Sequence, residues 1–311
     1  MNSTLEKKVY TKEELLDFYN MPLEELLKES SKYMTNDVEC CSLINARNGK
    51  CSQNCKYCAQ SSHYCTNIKT HPLVDIEEVK KSAREAKVNQ AYHFAIVTSG
   101  KTPDEGRDFN VELDMIKEIN NVDGLKSCAS LGILTEAQAK ALAQSGLKRF
   151  HHNINTCRSY YPEVCTTHSW EDRLNTCKLV KKYGMELCCG IILGMGETVE
   201  QRIEMAIELA EIEPDSIPIN ILMPIPETPF ENYHNKIDEE NILRSMAVIK
   251  IANPKSKLRF GGGRMKLSEA NQELALKTCV EGLLIGNYLT TTGKSPVQDL
   301  EMMDKLGKNL V

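Results

Sequence analysis

Cys51, Cys55 and Cys58 stand in the run Cys51-Ser-Gln-Asn-Cys55-Lys-Tyr57-Cys58, a C-x3-C-x-aromatic-C spacing just after an apolar stretch. Three thiolates this close can hold three irons of a four-iron cluster, which ordinarily takes four cysteines. The fourth iron is then open to a small molecule. A structural zinc site would ask for four ligands in C-x2-C pairs, and no second pair follows at the expected distance. The chemistry this spacing favours is therefore that of an iron–sulfur cluster with one vacant position.

The chain that must position this loop has 311 residues, 41% hydrophobic and 26% charged. That composition belongs to an ordinary globular protein, and the length suits one large α/β barrel or two smaller domains. Net charge is −5 with pI about 5.9 and no basic stripe, which argues against nucleic acid as a partner. No signal peptide precedes the first helical pattern and no run reaches about 18 apolar residues, so a cytoplasmic protein without membrane spans is expected. Thirteen cysteines in a chain of this size point to metal binding for some and core filling for others, rather than to a disulfide scaffold.

Thr11-Lys-Glu-Glu14 is a capping-box pattern opening a helical stretch to about Met34, with Pro22 able to start a second helix. From Val38 onward apolar runs alternate with amphipathic ones. Strands are expected over 38–44, 92–98, 126–131, 149–154, 186–192, 216–222, 257–261 and 282–286. Helices are expected over 75–88, 111–120, 135–144, 170–183, 199–212, 239–251, 267–280 and 296–306. Eight strands alternating with helices imply a parallel sheet, and the span matches the roughly 250 residues of a (β/α)8 TIM barrel. The expected organisation is an N-terminal helical extension over 1–37 and a barrel with a C-terminal helix over 38–311. In a barrel the Cys51–Cys58 loop lies on the catalytic face, at the C-terminal end of the first strand.

The three-cysteine loop resembles the signature of the radical S-adenosylmethionine (SAM) superfamily, in which SAM chelates the open iron. Further segments make the chain similar to the biotin synthase family. They are Cys55-Lys-Tyr-Cys58-Ala-Gln-Ser, Cys128-Ala-Ser-Leu-Gly132, His152-Asn153-Ile-Asn155-Thr156, Cys188-Cys-Gly-Ile-Ile-Leu-Gly194-Met-Gly196-Glu197-Thr198, Ser216-Ile-Pro-Ile-Asn220 and Tyr288-Leu-Thr-Thr291. They cover nearly the whole chain in order. The resemblance implies a homodimeric barrel enzyme, a radical SAM sulfurtransferase that converts dethiobiotin to biotin. A [4Fe–4S] cluster sends an electron into SAM to release a 5′-deoxyadenosyl radical, and an auxiliary cluster inside the barrel gives up the sulfur. It also implies an electron donor such as flavodoxin or ferredoxin.

In that family the auxiliary cluster is [2Fe–2S], held by three cysteines and an arginine. Three of the four positions match here, at Cys128, Cys188 and Arg259. The fourth, on the second strand, is Ala95, which cannot ligate iron. Three readings follow: the auxiliary cluster is lost, a replacement cysteine restores it, or a different cluster, such as a four-iron one carrying an extra sulfide, takes its place. Cys165, in a loop opening on the catalytic face, is the candidate replacement. Cys189 adjoins Cys188 but should face the helices by strand alternation. Cys40, Cys41, Cys65, Cys157, Cys177 and Cys279 read as core or loop thiols.

By the same resemblance Tyr57, Asn153, Asn155 and Arg173 are SAM-binding positions, and Ser99 at the end of strand two is a further candidate. Asn155 stands where many members carry Asp, but its carbonyl can still accept. Arg173 suits a carboxylate by bidentate pairing. Asn153 and Asn220 match positions that contact the ureido ring of dethiobiotin, a group needing both donor and acceptor, and His151 falls on the same substrate side. Gly194-Met-Gly196-Glu197 lacks the third glycine of a dinucleotide fingerprint. Two alternatives stand beside this reading. One is another radical SAM enzyme on the same scaffold, similar to methylornithine synthase or a hydrogenase maturase. The other is a cluster carrier without turnover.

Overall fold

In the computed structural model, residues 8–103, 106–234, 236–286 and 294–311 are described. The Tyr288–Thr291 segment lies outside them. Eight parallel strand positions close on themselves: β1 (Asp37–Arg47), β2 (His93–Thr98), β3 (Lys126–Ser130), β4 (Arg149–His151), a fifth position split into β5 (Glu186–Cys188) and β6 (Ile191–Leu193), then β7 (Ser216–Ile221), β8 (Lys257–Phe260) and β9 (Gly282–Leu284). Closure comes from β9 pairing with β1, where Glu39, Cys40 and Cys41 stand opposite Gly282, Leu283 and Leu284. The expected (β/α)8 barrel is the observed fold.

The helices form because their ends are written into the sequence. Capping boxes at Thr11/Glu14, Thr135/Gln138, Ser169/Asp172, Thr198/Gln201 and Ser295/Gln298 satisfy the first orphan N–H groups of α1 (Lys12–Asn20), α5 (Glu136–Gln144), α7 (Trp170–Lys182), α8 (Val199–Ile212) and α11 (Pro296–Lys305). Asp75 caps α3 (Ile76–Val88), Asp238 caps α9 (Glu239–Ala252), and Ser268 caps α10 (Glu269–Thr278). The second N-terminal helix, α2 (Leu23–Ser31), follows Pro22 and packs on α9, while α1 packs on α8. α4 (Arg107–Asn120) starts four residues earlier than the apolar periodicity indicates.

Other departures are local. β4 ends at His151 rather than 154, because the chain turns into a left-handed residue at Asn155 (φ 68°), a conformation Asn tolerates better than most residues. The fifth strand breaks at Cys189-Gly190. A Cβ on Gly190 would sit 1.9 Å from the Pro218 carbonyl oxygen, so only glycine permits this approach. A short helix, α6 (Tyr161–Val164), and a two-residue strand, β10 (Asn309–Leu310), which pairs with the start of β1, were not legible in the sequence pattern.

Alternation divides each strand between the helix layer and the barrel interior. Cys40 is in the core beneath the helices, while Cys41 and Leu43 face inward. His93, Ala95 and Val97 do the same from β2, as do Cys128 and Ser130 from β3.

Candidate active site

The Cys51–Cys58 loop is clamped at the mouth of the barrel. Asn54 Oδ1 accepts from the backbone N–H groups of Thr166 and Thr167 at 3.0 and 3.2 Å, and the Asn54 amide Nδ2 donates to Thr166 Oγ1 at 2.6 Å. Lys56 N–H donates to the Val164 carbonyl at 2.9 Å, and Cys58 N–H to that of Cys55 at 3.0 Å. All three cysteines line a cavity of about 220 Å³. Burial pushes the Cys58 thiol up to about 11, so the thiolate a metal needs must be drawn out by the metal itself.

Arg173 faces this cavity from the first turn of α7. The helix is fixed there by the Trp170 indole N–H, which donates to the Thr156 carbonyl at 3.1 Å. The Arg173 guanidinium donates to Tyr161 Oη at 2.6 Å and to the Asn153 carbonyl at 2.9 Å. Tyr57, Ser99, Asn153 and Asn155 share the same walls. Ser99 Oγ is already engaged with the Gly49 carbonyl at 2.6 Å. Asn155 is 2% exposed and its Nδ2 has no hydrogen-bond partner, an orphan donor aimed at the space a ligand would fill.

A second cavity of about 350 Å³ occupies the barrel interior and shares Tyr57, Cys58, Asn153 and Asn155 with the first. Cys128 and Cys188 line it together with Arg259, His151 and Asn220. His151 Nδ1 lies 3.3 Å from Cys188 Sγ. Burial, reinforced by Arg259, Arg173 and Arg149, pushes His151 down to about 4, so its ring is neutral. Asn220 Oδ1 accepts from Gly262 N–H at 2.8 Å and its Nδ2 donates to the Ile191 carbonyl at 3.1 Å, leaving one N–H and one lone pair to spare. Gly261 permits this, since a Cβ there would fall 2.4 Å from Asn220 Oδ1.

The barrel floor is ionic. Glu39 accepts from Arg149 at 3.1 Å, Lys257 at 2.8 Å and Arg259 at 3.2 Å, and Arg149 also pairs with Glu186 at 2.7 Å. Burial alone would raise the Glu39 carboxyl, but these cations outweigh it and hold it at about 2. Two buried guanidinium groups thus sit beneath the inward thiols.

Two sequence expectations meet a different geometry. Cys165 is not brought to Cys128 and Cys188. The 157–168 loop folds through α6 onto Asn54, which sets Cys165 Sγ 3.7 Å from Cys55 Sγ and 3.2 Å from His168 Nδ1. Those three residues form a cluster able to hold a metal, outside the barrel cavity. Cys41, read from sequence as a core thiol, faces the barrel cavity with its sulfur against the Arg259 guanidinium. Adjacent strand residues face opposite ways, so one of Cys40 and Cys41 had to point inward. Cys189 Sγ packs 3.8 Å from Cys177 Sγ of α7, on the helix side. His93 is also a cavity residue that sequence reasoning passed over. It is 1% exposed with neither ring nitrogen hydrogen-bonded, the Glu186 and Glu39 carboxylates standing off at 3.6 and 3.8 Å.

The Radical SAM superfamily profile matches residues 47–210, and the Biotin and Thiamin Synthesis associated domain matches 218–309. A biotin synthase of Acetivibrio thermocellus is 45% identical over 280 residues, covering 90% of this chain and 87% of that one. The chain belongs to the biotin synthase family. A second biotin synthase, from Clostridium tetani, is 38% identical over 319 residues, covering 98% of this chain and 97% of its own. The fold is shared more widely. A crystal structure of methylornithine synthase (PylB) superposes with a TM-score of 0.82 at 17% identity, covering 98% of this chain and 95% of that one.

Membership of the biotin synthase family brings a [4Fe–4S] cluster, SAM and an auxiliary iron–sulfur cluster. The residues present fit all three. Three cysteines share one mouth cavity with a half-buried arginine and an orphan amide donor, as an open cluster and a zwitterionic ligand require. Inside the barrel, soft thiol donors stand over a cationic floor suited to an anionic thiolate cluster.

Proposed function

We infer that this protein is a biotin synthase: a radical SAM sulfurtransferase that converts dethiobiotin to biotin. The observation that carries this reading is that the two cavities share a wall formed by Tyr57, Cys58, Asn153 and Asn155. One is ringed by Cys51, Cys55, Cys58 and Arg173, the other by Cys128, Cys188 and Arg259. When bound, the four-iron cluster and SAM supply the radical that removes hydrogen from dethiobiotin, and the auxiliary cluster supplies the sulfur.

The chain's own residues have the following parts in this reading. Cys51, Cys55 and Cys58 hold the four-iron cluster. Arg173, fixed by Tyr161 and by the Asn153 carbonyl, pairs with the carboxylate of SAM. Asn155 offers its unpartnered Nδ2 to the same ligand, and Tyr57 walls both cavities. Asn220 presents its spare N–H and lone pair to the cyclic urea of dethiobiotin, with Asn153 and the neutral His151 ring beside it. Cys128, Cys188 and Arg259 hold the auxiliary cluster. The barrel walls exclude water from a site where a reactive carbon radical would otherwise be quenched.

A low-potential donor such as flavodoxin or ferredoxin, a homodimeric state and a cytoplasmic location belong to the same proposal, on family resemblance. Among the described residues no helix is long and apolar enough to cross a membrane. The test is an anaerobic single turnover of reconstituted protein with dethiobiotin, SAM and reductant, read by mass detection of biotin. Cleavage of SAM without biotin would point instead to another radical reaction on this scaffold.

A further inference from the structure

Ala95 stands where the family resemblance implies a strand-two cysteine, and Cys41 brings a further inward sulfur to that end of the barrel. Cys41 lies on β1, which is hydrogen-bonded directly to β2; it pairs with His93, and Leu43 pairs with Ala95. Its sulfur is therefore one strand across and one inward step below the missing one. It is 6% exposed and lines the same cavity as Cys128 and Cys188. It also touches the Arg259 guanidinium, whose Nε is held by Ser216 Oγ at 3.1 Å and whose Nη2 is held by Glu39 at 3.2 Å. His93, 1% exposed and on the same cavity wall, stands opposite Cys41 in the register, with its ring nitrogens 3.6 and 3.8 Å from the Glu186 and Glu39 carboxylates. Cys165 is as buried but does not line that cavity, being tied to Cys55 and His168 at the mouth.

We propose that Cys41 supplies the third protein thiolate of the auxiliary cluster, completing with Cys128, Cys188 and Arg259 the set that Ala95 leaves short. This rests on the biotin synthase reading and adds to it a ligand outside the family's usual positions. The physical case is one of donor chemistry. Cys41, Cys128 and Cys188 are all buried thiols lining one cavity, a soft-donor set of the kind that holds an iron–sulfur cluster. Arg259, already anchored at Nε and Nη2, offers its remaining edge to the Cys41 sulfur and fixes that side of the cavity.

The experiment removes the mouth cluster first. Anaerobically reconstituted Cys51/Cys55/Cys58→Ala protein is assayed for iron, sulfide and its Mössbauer spectrum, with thermal melting as the check on folding. Residual iron and sulfide are expected. Adding Cys41→Ala should lower them by about tenfold or more, because losing even a partner that only orients a metal ligand costs about tenfold or more in metal affinity. Adding Ala95→Cys to that variant should restore them, whereas Cys40→Ala or Cys165→Ala alone should leave them unchanged. Cys41→Ser, of nearly the same volume, should keep the fold and alter the Mössbauer spectrum. An unchanged residual cluster in the Cys41→Ala and Cys41→Ser proteins would overturn the assignment and leave the biotin synthase reading standing. No residual cluster before Cys41 is touched would overturn both the assignment and the auxiliary cluster of that reading.

Discussion

Cys165 Sγ lies 3.7 Å from Cys55 Sγ, although 110 residues separate them in the chain. Both are buried, and Asn54 and His168 hold the pair from either side. Two thiols at this distance are close to the reach of a disulfide, which needs a sulfur–sulfur separation of about 2 Å. Cluster-free protein exposed to a mild oxidant should therefore form a Cys55–Cys165 disulfide, seen as a cross-linked peptide by mass spectrometry. The oxidised protein should take up no four-iron cluster until a reductant is added. Cys165→Ala should abolish this dependence on reductant and still bind about four irons at the mouth, since the proposed ligands Cys51, Cys55 and Cys58 are untouched.

Arg173 is a partly buried cation of the mouth cavity, and its hydrogen-bond partners there, Tyr161 Oη and the Asn153 carbonyl, are neutral. Its charge is left for a ligand. Arg173→Met should weaken SAM binding by about 30- to 150-fold, the equivalent of roughly 2–3 kcal/mol for a charge-assisted hydrogen bond. Asn220 faces the inner cavity, so Asn220→Ala should weaken dethiobiotin binding and leave SAM affinity within about threefold, as a neutral hydrogen bond of roughly 1 kcal/mol acting on one ligand requires. Equilibrium dialysis with each ligand on reconstituted protein separates the two. Equal losses of both ligands in Asn220→Ala would remove Asn220 from the substrate side.

The barrel and the cluster loop were legible because both rest on local signals. Alternation of strand and helix periods, with capping boxes at Thr135, Ser169 and Thr198, set the element order. The cysteine spacing set the mouth chemistry. What depends on tertiary contacts was not legible. Cys165 looked like a barrel ligand from its loop, but α6 and the Asn54 clamp turn that loop onto Cys55. The break at Gly190 answers to the Pro218 carbonyl on a neighbouring strand, which no local pattern contains. Cys41 is the instructive miss. The Cys40-Cys41 pair in a strand forces one thiol inward, and only the register tells which.

Lys250 and Glu281 form an ion pair with both side chains about 2% exposed, 2.5 Å apart. Glu281 also accepts from the backbone N–H and the hydroxyl of Thr35, each at 2.9 Å, so the pair ties α9 to the segment leading into β1. Lys250→Met would leave the buried Glu281 carboxylate without its paired cation. The expected loss is about 3–5 kcal/mol, as for other broken buried pairs. The double variant with Glu281→Gln should recover much of it, because the uncompensated charge is gone. Urea denaturation of the two variants and the parent, with the slope held constant, reads both effects.

Glu208 of α8 shows the opposite sign of electrostatic effect. It accepts from Arg158 N–H at 3.0 Å, but burial, with Glu204 nearby, pushes its carboxyl up to about 7. A raised carboxyl binds more protons in the folded state than in the unfolded chain between the ordinary value of 4.5 and about 7. Folding stability must therefore fall as pH rises through that window, and the loss is complete above it. Glu208→Gln keeps an acceptor for Arg158 and removes the titration. The variant should match the parent near pH 4.5 and exceed it at pH 8 by on the order of 1–2 kcal/mol, the shift discounted for partial exposure. Denaturation midpoints at the two pH values decide it: a stabilisation that does not change with pH would assign the effect to packing rather than to the buried charge.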